Sequence, residues 1–348
     1  MRRPTVPNLL VAFVAAVPAL PLVAQTETDP ALTEWDVPWE GTRPRDPYVA
    51  PDGRVWFVGQ TGDYAGVLDP ESGDFRKYDL GEGVGPHNLV VADDGMVWYT
   101  GNRQHHLGRL DPASGEIERF EVPHEAARDP HTLVFDSKGD MWFTVQGGNL
   151  IGKFWKETGE MRIVEAPQAP GRGGQMTSSR PYGIVIDSRD RPWIALFNSN
   201  KIATVDPETF ELKTFELPDE GARPRRIGLT SDDTVWYVDY ARGFLGRLDP
   251  ESGAVKEYAM PGGPGSRPYG MAVDADDRVW FVETGAQPNR FVGFDPATED
   301  FFSVSDIESG GGTVRHMFFD ADTNTIWFGA DVNTIGRAVL PPARKKVS

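Results

Sequence analysis

The chain repeats one pattern of apolar and polar positions in units of about forty to fifty residues. Each unit has an apolar run that ends in Asp, as at 133–136, and then a polar turn and a run around a tryptophan, as at 141–144. Two further runs follow, and the last alternates apolar with charged residues, as at 117–120. Such alternation is typical of a half-buried outer strand, whereas unbroken apolar runs are typical of strands covered on both faces. Each unit therefore predicts four β-strands and no long helix.

The tryptophan of the second run recurs seven times, with successive spacings of 42, 44, 51, 43, 44 and 47 residues. These residues are Trp56, Trp98, Trp142, Trp193, Trp236, Trp280 and Trp327. A period in the forties filled with short strands is typical of a β-propeller with four strands per blade. We predict an all-β, seven-bladed β-propeller. Residues 33–38 resemble the fourth runs of other units, and we expect them to complete the last blade and close the ring.

The N-terminal segment and the composition predict a location outside the cytoplasm. Residues 1–24 contain Arg2, Arg3, an apolar stretch and a final Ala24, which is typical of a secretory signal peptide. We expect a single propeller domain over 25–340, a basic tail over 341–348 and a periplasmic or secreted monomer. The absence of cysteine excludes disulfide and thiolate chemistry. The formal charge of −17 disfavours nucleic acid and anionic membranes as partners and leaves a small-molecule or oligosaccharide substrate.

The candidate chemistry lies eleven residues before each tryptophan, at the start of the first strand of each unit. These equivalent positions are Arg45, His87, His131, Tyr182, Arg225, Tyr269 and His316. Two residues earlier the equivalent positions are Arg43, Gly85, Asp129, Arg180, Arg223, Arg267 and Val314. Since equivalent positions in a propeller lie at one height around the axis, we predict that these side chains ring one mouth of the central channel.

Structural roles are the alternative for each of these residues. The polar groups could satisfy backbone at the channel mouth, the tyrosines could be packing residues, and the arginines could form salt bridges to acids such as Asp46 or Asp187. Three further histidines, His105, His106 and His124, lie in turn-like segments, and we expect them to face solvent.

Three of the units resemble a known family. They are Gly-Pro-His-Asn-Leu at 85–89, Asp-Pro-His-Thr-Leu at 129–133 and Arg-Pro-Tyr-Gly-Ile at 180–184. Together with the Trp-Tyr-Thr, Trp-Phe-Thr, Leu-Gly-Arg and Ile-Gly-Lys strings, they resemble the virginiamycin B lyase (streptogramin B lyase) family of seven-bladed propellers. The resemblance covers about residues 33 to 340.

The resemblance implies a metal-assisted lyase that cleaves by β-elimination. It implies that His131 is the general base, that His87 contacts the substrate and that Asp129 binds Mg²⁺, with Gln146 at the position of the second metal ligand. Gln146 departs from the family, because a neutral amide binds Mg²⁺ more weakly than a carboxylate does. The placement also departs, since the family's site lies in the last two units. Imidazole suits the base because it titrates near neutral pH.

Two other functions remain open at this point. The arginines favour a lyase of uronate-containing saccharides, in which His or Tyr is the base and Arg neutralises the carboxylate. For either lyase, the substrate-binding residues would be His87, Arg45, Tyr182, Arg225, Tyr269, His316, Arg180, Arg223 and Arg267. The other option is a non-catalytic propeller that binds a ligand or a protein, with the long segment at 167–179 as a recognition loop.

A lactone-hydrolysing or sugar-oxidising propeller is a weaker hypothesis. It would need several carboxylates at the mouth, and Asp239, Glu283 and Asp331 are the candidates. His316 with Asp331 would then form a reserve site in the last blade.

Overall fold

A computed structural model of the chain describes residues 29–171 and 173–342. Within these ranges, seven four-stranded antiparallel sheets make up nearly all of the regular structure. The predicted all-β, seven-bladed propeller is therefore confirmed. The predicted signal peptide at 1–24 and most of the basic tail at 341–348 lie outside the described residues. No helix within the described ranges is long and apolar enough to span a membrane.

The strands follow each other from the channel outwards in every blade. Before the first blade lies β1 (Ala31–Asp36). Blade one contains β2 (Pro44–Val49), β3 (Val55–Gly59), β4 (Tyr64–Leu68) and β5 (Phe75–Asp79). Blade two contains β6 (Pro86–Val91), β7 (Val97–Gly101), β8 (His106–Leu110) and β9 (Ile117–Glu121). Blade three contains β10 (Pro130–Phe135), β11 (Met141–Val145), β12 (Leu150–Phe154) and β13 (Met161–Glu165).

The long segment after blade three forms a small hairpin of β14 (Ala169–Pro170) and β15 (Met176–Thr177). Blade four contains β16 (Pro181–Ile186), β17 (Pro192–Leu196), β18 (Lys201–Val205) and β19 (Leu212–Glu216). Blade five contains β20 (Pro224–Leu229), β21 (Val235–Asp239), β22 (Phe244–Leu248) and β23 (Val255–Ala259). A 3₁₀ turn (Gly263–Gly265) precedes blade six, which contains β24 (Pro268–Val273), β25 (Val279–Glu283), β26 (Arg290–Asp295) and β27 (Asp300–Asp306). Blade seven contains β28 (Val314–Asp320), β29 (Thr325–Ala330) and β30 (Thr334–Val339).

The N-terminal strand is the outermost strand of the seventh blade. Strand β1 pairs antiparallel with β30, so that Ala31 lies opposite Val339 and Asp36 lies opposite Thr334. The indole of Trp35 stacks on Trp327 with 5.5 Å between the ring centroids. Both ends of the described chain are thereby held in one sheet, which is how a ring of blades avoids an open seam.

The repeated tryptophans join neighbouring blades. Trp98 of blade two packs on Phe154 of blade three at 5.3 Å, and Trp142 of blade three packs on Phe210 of blade four at the same distance. Trp327 of blade seven belongs to a buried cluster with residues of blade one. The sequence period therefore has a packing origin, because each blade needs one large apolar side chain to fill the wedge beside the next.

Each inner strand carries an irregularity near its start. In β10 the register shifts between Pro130 and Leu133, and the inner strands of the other six blades shift at the equivalent point. A β-bulge adds a residue to one strand and redirects its side chains. In blade three this brings two consecutive residues, His131 and Thr132, into the polar cluster at the channel mouth.

Candidate functional site

Six residues predicted at the channel mouth lie together in the structure. We call Arg45, His87, His131, Tyr182, Arg225 and Tyr269 the mouth cluster. The rings of His87 and His131 are 3.6 Å apart between centroids, and those of His131 and Tyr182 are 4.0 Å apart. The hydroxyl groups of Tyr182 and Tyr269 are hydrogen-bonded to each other across the channel. Residues from blades one to six thus form one contiguous group, as the repeat predicted.

The seventh predicted member, His316, lies deeper in the channel. It lines a cavity of about 470 Å³ whose walls are the inner strands, with Tyr48, Asn88 and Arg226 as the other polar side chains. Burial and the nearby Arg226 lower the pKa of His316 to about 4, so its imidazole is neutral at pH 7. The sequence predicted His316 at the same height as the other six residues, and the structure places it with the inner-strand cavity instead.

The two mouth histidines are buried and neutral. The His87 Nδ1 donates a hydrogen bond to the main-chain carbonyl of His131 at 3.0 Å, so its proton is on Nδ1. The Nδ1 of His131 lies 2.8 Å from the Thr132 hydroxyl. Burial lowers the pKa of both imidazoles well below the usual value, and neighbouring guanidinium groups lower it further. The expectation of a titration near neutral pH is therefore wrong for His131.

The Nε2 atom of His131 takes no part in these hydrogen bonds. It is buried and has no hydrogen-bond partner among the described residues. Because the ring is neutral, one of its nitrogens carries a lone pair at neutral pH. When Thr132 accepts the Nδ1 proton, that lone pair is on Nε2.

The tyrosine pair is the other ionisable group of the mouth. Burial raises the pKa of Tyr182, but the guanidinium groups of Arg225 and Arg226 outweigh burial and lower it to about 8. For Tyr269, burial and the proximity of Tyr182 raise the pKa. One phenolate shared by the pair is therefore accessible at mildly alkaline pH, and it belongs to the pair rather than to one ring.

An aromatic box holds the guanidinium group of Arg225. Its central carbon lies 3.6 Å from the ring centroid of Tyr269, 4.3 Å from that of Tyr240 and 4.5 Å from that of Phe197. The one hydrogen bond it donates within the described residues goes to the Tyr182 hydroxyl, at 3.4 Å. Stacking on aromatic faces fixes the plane of the guanidinium group and stabilises its charge.

A buried ion pair lies beneath the mouth cluster, and its acid is Asp46, which the sequence suggested as a salt-bridge partner of an arginine. Sequence reasoning missed Arg226, which also binds Asp46. The buried Asp46 accepts hydrogen bonds from Arg45 at 3.1 Å, from Asn88 at 3.1 Å and from Arg226 at 3.4 Å. Burial would raise the pKa of Asp46, but Arg45, His316 and Arg226 together outweigh burial and lower it to about 2. Arg226 also donates to the Thr132 hydroxyl at 3.2 Å, which ties this network to His131.

The remaining arginines lie on the rim and mostly have protein partners. Arg180 donates to the side-chain oxygen of Gln146, Arg223 donates to the carbonyl groups of Glu220 and Ala222, and Arg43 lies 3.8 Å from Asp331. Arg267 is exposed. The structural alternative thus applies to Arg45, which pairs with Asp46, whereas Asp187 instead pairs with Arg191.

Arg315 is a further mouth residue that the sequence analysis missed. It donates to Asp331 at 3.1 and 2.5 Å, and its guanidinium carbon lies 5.7 Å from the Tyr269 ring. Its position in the repeat is proline in the other six units, and that substitution was the available signal.

The donors proposed for Mg²⁺ are engaged by the protein itself. Asp129 accepts a hydrogen bond from Asn102, and burial raises its pKa to about 6. The Gln146 oxygen accepts from Arg180. Among the described residues, no three His, Cys, Asp or Glu side chains converge in a way that could hold a metal ion. This donor set does not fit Mg²⁺, which prefers free carboxylate oxygens, and Mg²⁺ binding stays an untested prediction.

The carboxylates considered for a hydrolytic metal site are also paired. Asp239 binds Arg242 at 2.6 Å, Glu283 binds Arg290 and Asp331 binds Arg315. Each charge is already neutralised by an arginine, so these acids are poor ligands for a divalent cation.

Of the three histidines that we expected to face solvent, His106 differs from the prediction. Its side chain is fully buried, faces Tyr99 at 5.9 Å and packs over Gly101. The prediction that His106 faces solvent is therefore wrong. It fills, in blade two, the space that Tyr64 fills over Gly59 in blade one.

A family profile and several solved structures match this chain over most of its length. The profile of the virginiamycin B lyase family matches residues 19–172 and 173–340. The crystal structure of selenomethionine-substituted virginiamycin B lyase from Staphylococcus aureus is 25% identical, with a TM-score of 0.78 over 90% of this chain and 100% of that one. A streptogramin B lyase structure is 23% identical, with a TM-score of 0.79 over 91% and 100% of the two chains.

A third similar structure contains a ligand. It is a catalytically inactive histidine variant of the Staphylococcus aureus enzyme with quinupristin, 25% identical with a TM-score of 0.79 over 90% of this chain and 100% of that one. A comparison with curated proteins gave no match.

Proposed function

Because the chain belongs to the virginiamycin B lyase family, we propose that it is a carbon–oxygen lyase that works by β-elimination at the channel mouth. The observation that carries this proposal is the arrangement around His131. A neutral imidazole with an unpartnered nitrogen lies in tilted ring contact with Tyr182, and guanidinium groups lie close by. A base beside fixed positive charge is what removal of a proton next to a carbonyl group requires.

The elimination balances with groups of this chain. His131 takes the proton from the carbon next to the substrate carbonyl, and that electron pair forms the new double bond through an enolate. The guanidinium group of Arg225 would stabilise the enolate oxygen. The carbon–oxygen bond at the β position then breaks, and its electron pair leaves with the oxygen, which takes up the proton from protonated His131 and so restores the neutral base. His87 lies in ring contact with His131 and would help to position the substrate.

A streptogramin B-type depsipeptide is the first candidate substrate, because two of the similar structures are lyases named for such antibiotics. A uronate-containing saccharide is the second candidate, and the observation that favours it is the number of arginines at the mouth. A non-catalytic binding propeller is the outcome if no substrate is turned over. Secretion and the monomeric state belong to the same proposal. A role for Mg²⁺ is left to the chelation test below, because Asp129 and Gln146 are already engaged by Asn102 and Arg180.

A spectrophotometric screen tests the proposal. The protein is mixed with a streptogramin B and with several polyuronides, each with Mg²⁺ and with a chelator, and an unsaturated product is followed by its ultraviolet absorbance. We expect turnover of one class, and a loss of about 10²- to 10⁴-fold in His131→Ala with an unchanged melting temperature. Full activity of His131→Ala would remove His131 from the role of base. Turnover that survives chelation would remove Mg²⁺ from the mechanism.

A further inference from the structure

The buried positive charge of the mouth cluster has too few acidic partners. Arg45 and Arg226 share one carboxylate, that of Asp46. Arg225 has no carboxylate within salt-bridge distance among the described residues, although it is largely buried. Burying an unpaired charge is costly, and proteins normally pair or coordinate such groups. The cluster therefore carries an excess of positive charge that protein groups do not neutralise.

Two guanidinium nitrogens of the cluster also have unused hydrogen-bond donors. The Nε of Arg225 and the Nη2 of Arg45 are buried, and neither has a partner among the described residues. The Arg225 guanidinium lies over the Tyr269 ring and donates to the Tyr182 hydroxyl, and Arg45 interacts electrostatically with the same two tyrosines. The free donors and the excess charge therefore belong to the side chains around one tyrosine pair.

We propose that Arg225 and Arg45 form a subsite for a single oxyanion of the substrate, a carboxylate or a sulfate. The inference rests on the proposed function and narrows its substrate class to anionic molecules. Arginine binds such groups through two parallel N–H···O bonds, and the aromatic box already holds the Arg225 fork in one plane. The rest of the protein is acidic, so this focus of positive charge would select and orient an anion at the mouth.

Calorimetric titration of the full chain at low ionic strength tests the subsite. The ligands are glucuronate, glucose 6-sulfate and uncharged glucose. We expect one or both anions to bind at least about tenfold more tightly than glucose, since charge-assisted hydrogen bonds are the strong ones. Preference for glucuronate identifies a carboxylate substrate, and preference for the sulfate ester identifies a sulfated one. Equal binding of all three ligands would overturn the inference.

Variants separate the subsite from a general effect of charge. Arg225→Gln and Arg45→Gln should each weaken anion binding about tenfold or more, and Arg225→Lys should also weaken it because the planar fork is lost. Arg54→Gln is the matched control, because Arg54 follows the opposite end of β2 and is exposed. If Arg225→Gln does not fold, Arg225→Lys decides alone, and undiminished binding in that variant would overturn the inference.

The outcome is independent of turnover. Anion binding that depends on Arg225, without any unsaturated product, would leave the subsite standing and remove the lyase. Turnover of a neutral depsipeptide without anion binding would do the reverse.

Discussion

At the scale of single residues, two groups of the mouth could remove a proton, and their ionisation differs. Burial keeps the pKa of His131 well below its usual value, whereas that of Tyr182 is about 8. With His131 as the base, we expect kcat/KM to change little between pH 6 and pH 9, because the imidazole is neutral throughout. A rise of about tenfold per pH unit that levels off above about 8, and that disappears in Tyr182→Phe, would instead assign the role to the tyrosine pair.

Asp46 holds two buried arginines, so its charge should matter to stability. We expect Asp46→Asn to lower the free energy of unfolding by about 3 to 5 kcal/mol at pH 7, because Arg45 and Arg226 lose their buried partner. Urea denaturation of the wild type and the variant measures this difference in the free energy of unfolding. Asp52→Asn breaks an exposed pair with Arg54 and should change stability by less than about 1 kcal/mol.

The pH dependence of this contribution has a defined sign. The pKa of Asp46 is lowered to about 2 in the folded protein, so its stabilising effect is complete above the ordinary aspartate value. The effect is lost as the pH falls through about 2. The wild type and Asp46→Asn should therefore converge in stability only in strong acid.

At the scale of strands, the second and third strands of most blades carry a large side chain opposite a small one. Phe143 of β11 lies over Gly152 of β12, and a methyl group on that glycine would overlap the ring. Blade four has Ile194 opposite Ala203 at the same place. The recurring Leu-Gly-Arg and Ile-Gly-Lys strings therefore reflect packing of an aromatic ring and not chemistry.

This pairing predicts a compensating double substitution. Gly152→Ala should destabilise the protein by about 1 to 3 kcal/mol, because an overpacked core must displace the Phe143 ring. Adding Phe143→Ile copies blade four and should recover much of the loss. Thermal unfolding of the wild type and the two variants measures the loss and the recovery of stability. A double variant no more stable than Gly152→Ala would show that the Phe143 ring is not the obstacle.

The strand scale also explains what the sequence could and could not predict. The tryptophan period predicted the blades and the residues eleven positions earlier, because both repeat along the chain. The register shift in each inner strand has no such signal in the sequence. The second side chain that a shifted strand can direct into the channel was therefore missed. Asp46 was suggested as a possible arginine partner, but its pairing with Arg226 has no signal in the repeat. Burial of His131 was likewise unpredictable, because it depends on neighbours in four other blades.

At the scale of the whole molecule, the ring places the candidate chemistry on its axis. Each blade contributes one or two side chains, and no blade alone holds a complete site. The family membership predicted from three units is confirmed over nearly the whole chain. The residues that the resemblance implied for a metal are instead hydrogen-bonded to Asn102 and Arg180, because this chain has an amide at 146 and many arginines around it.

The pairing of β1 with β30 also has a consequence for biosynthesis. Strand β1 is synthesised about three hundred residues before its partner β30, so the first six blades can assemble while the seventh still lacks its outermost strand. Closure of the ring then requires contact between positions far apart in the chain, and contacts of high sequence separation form slowly.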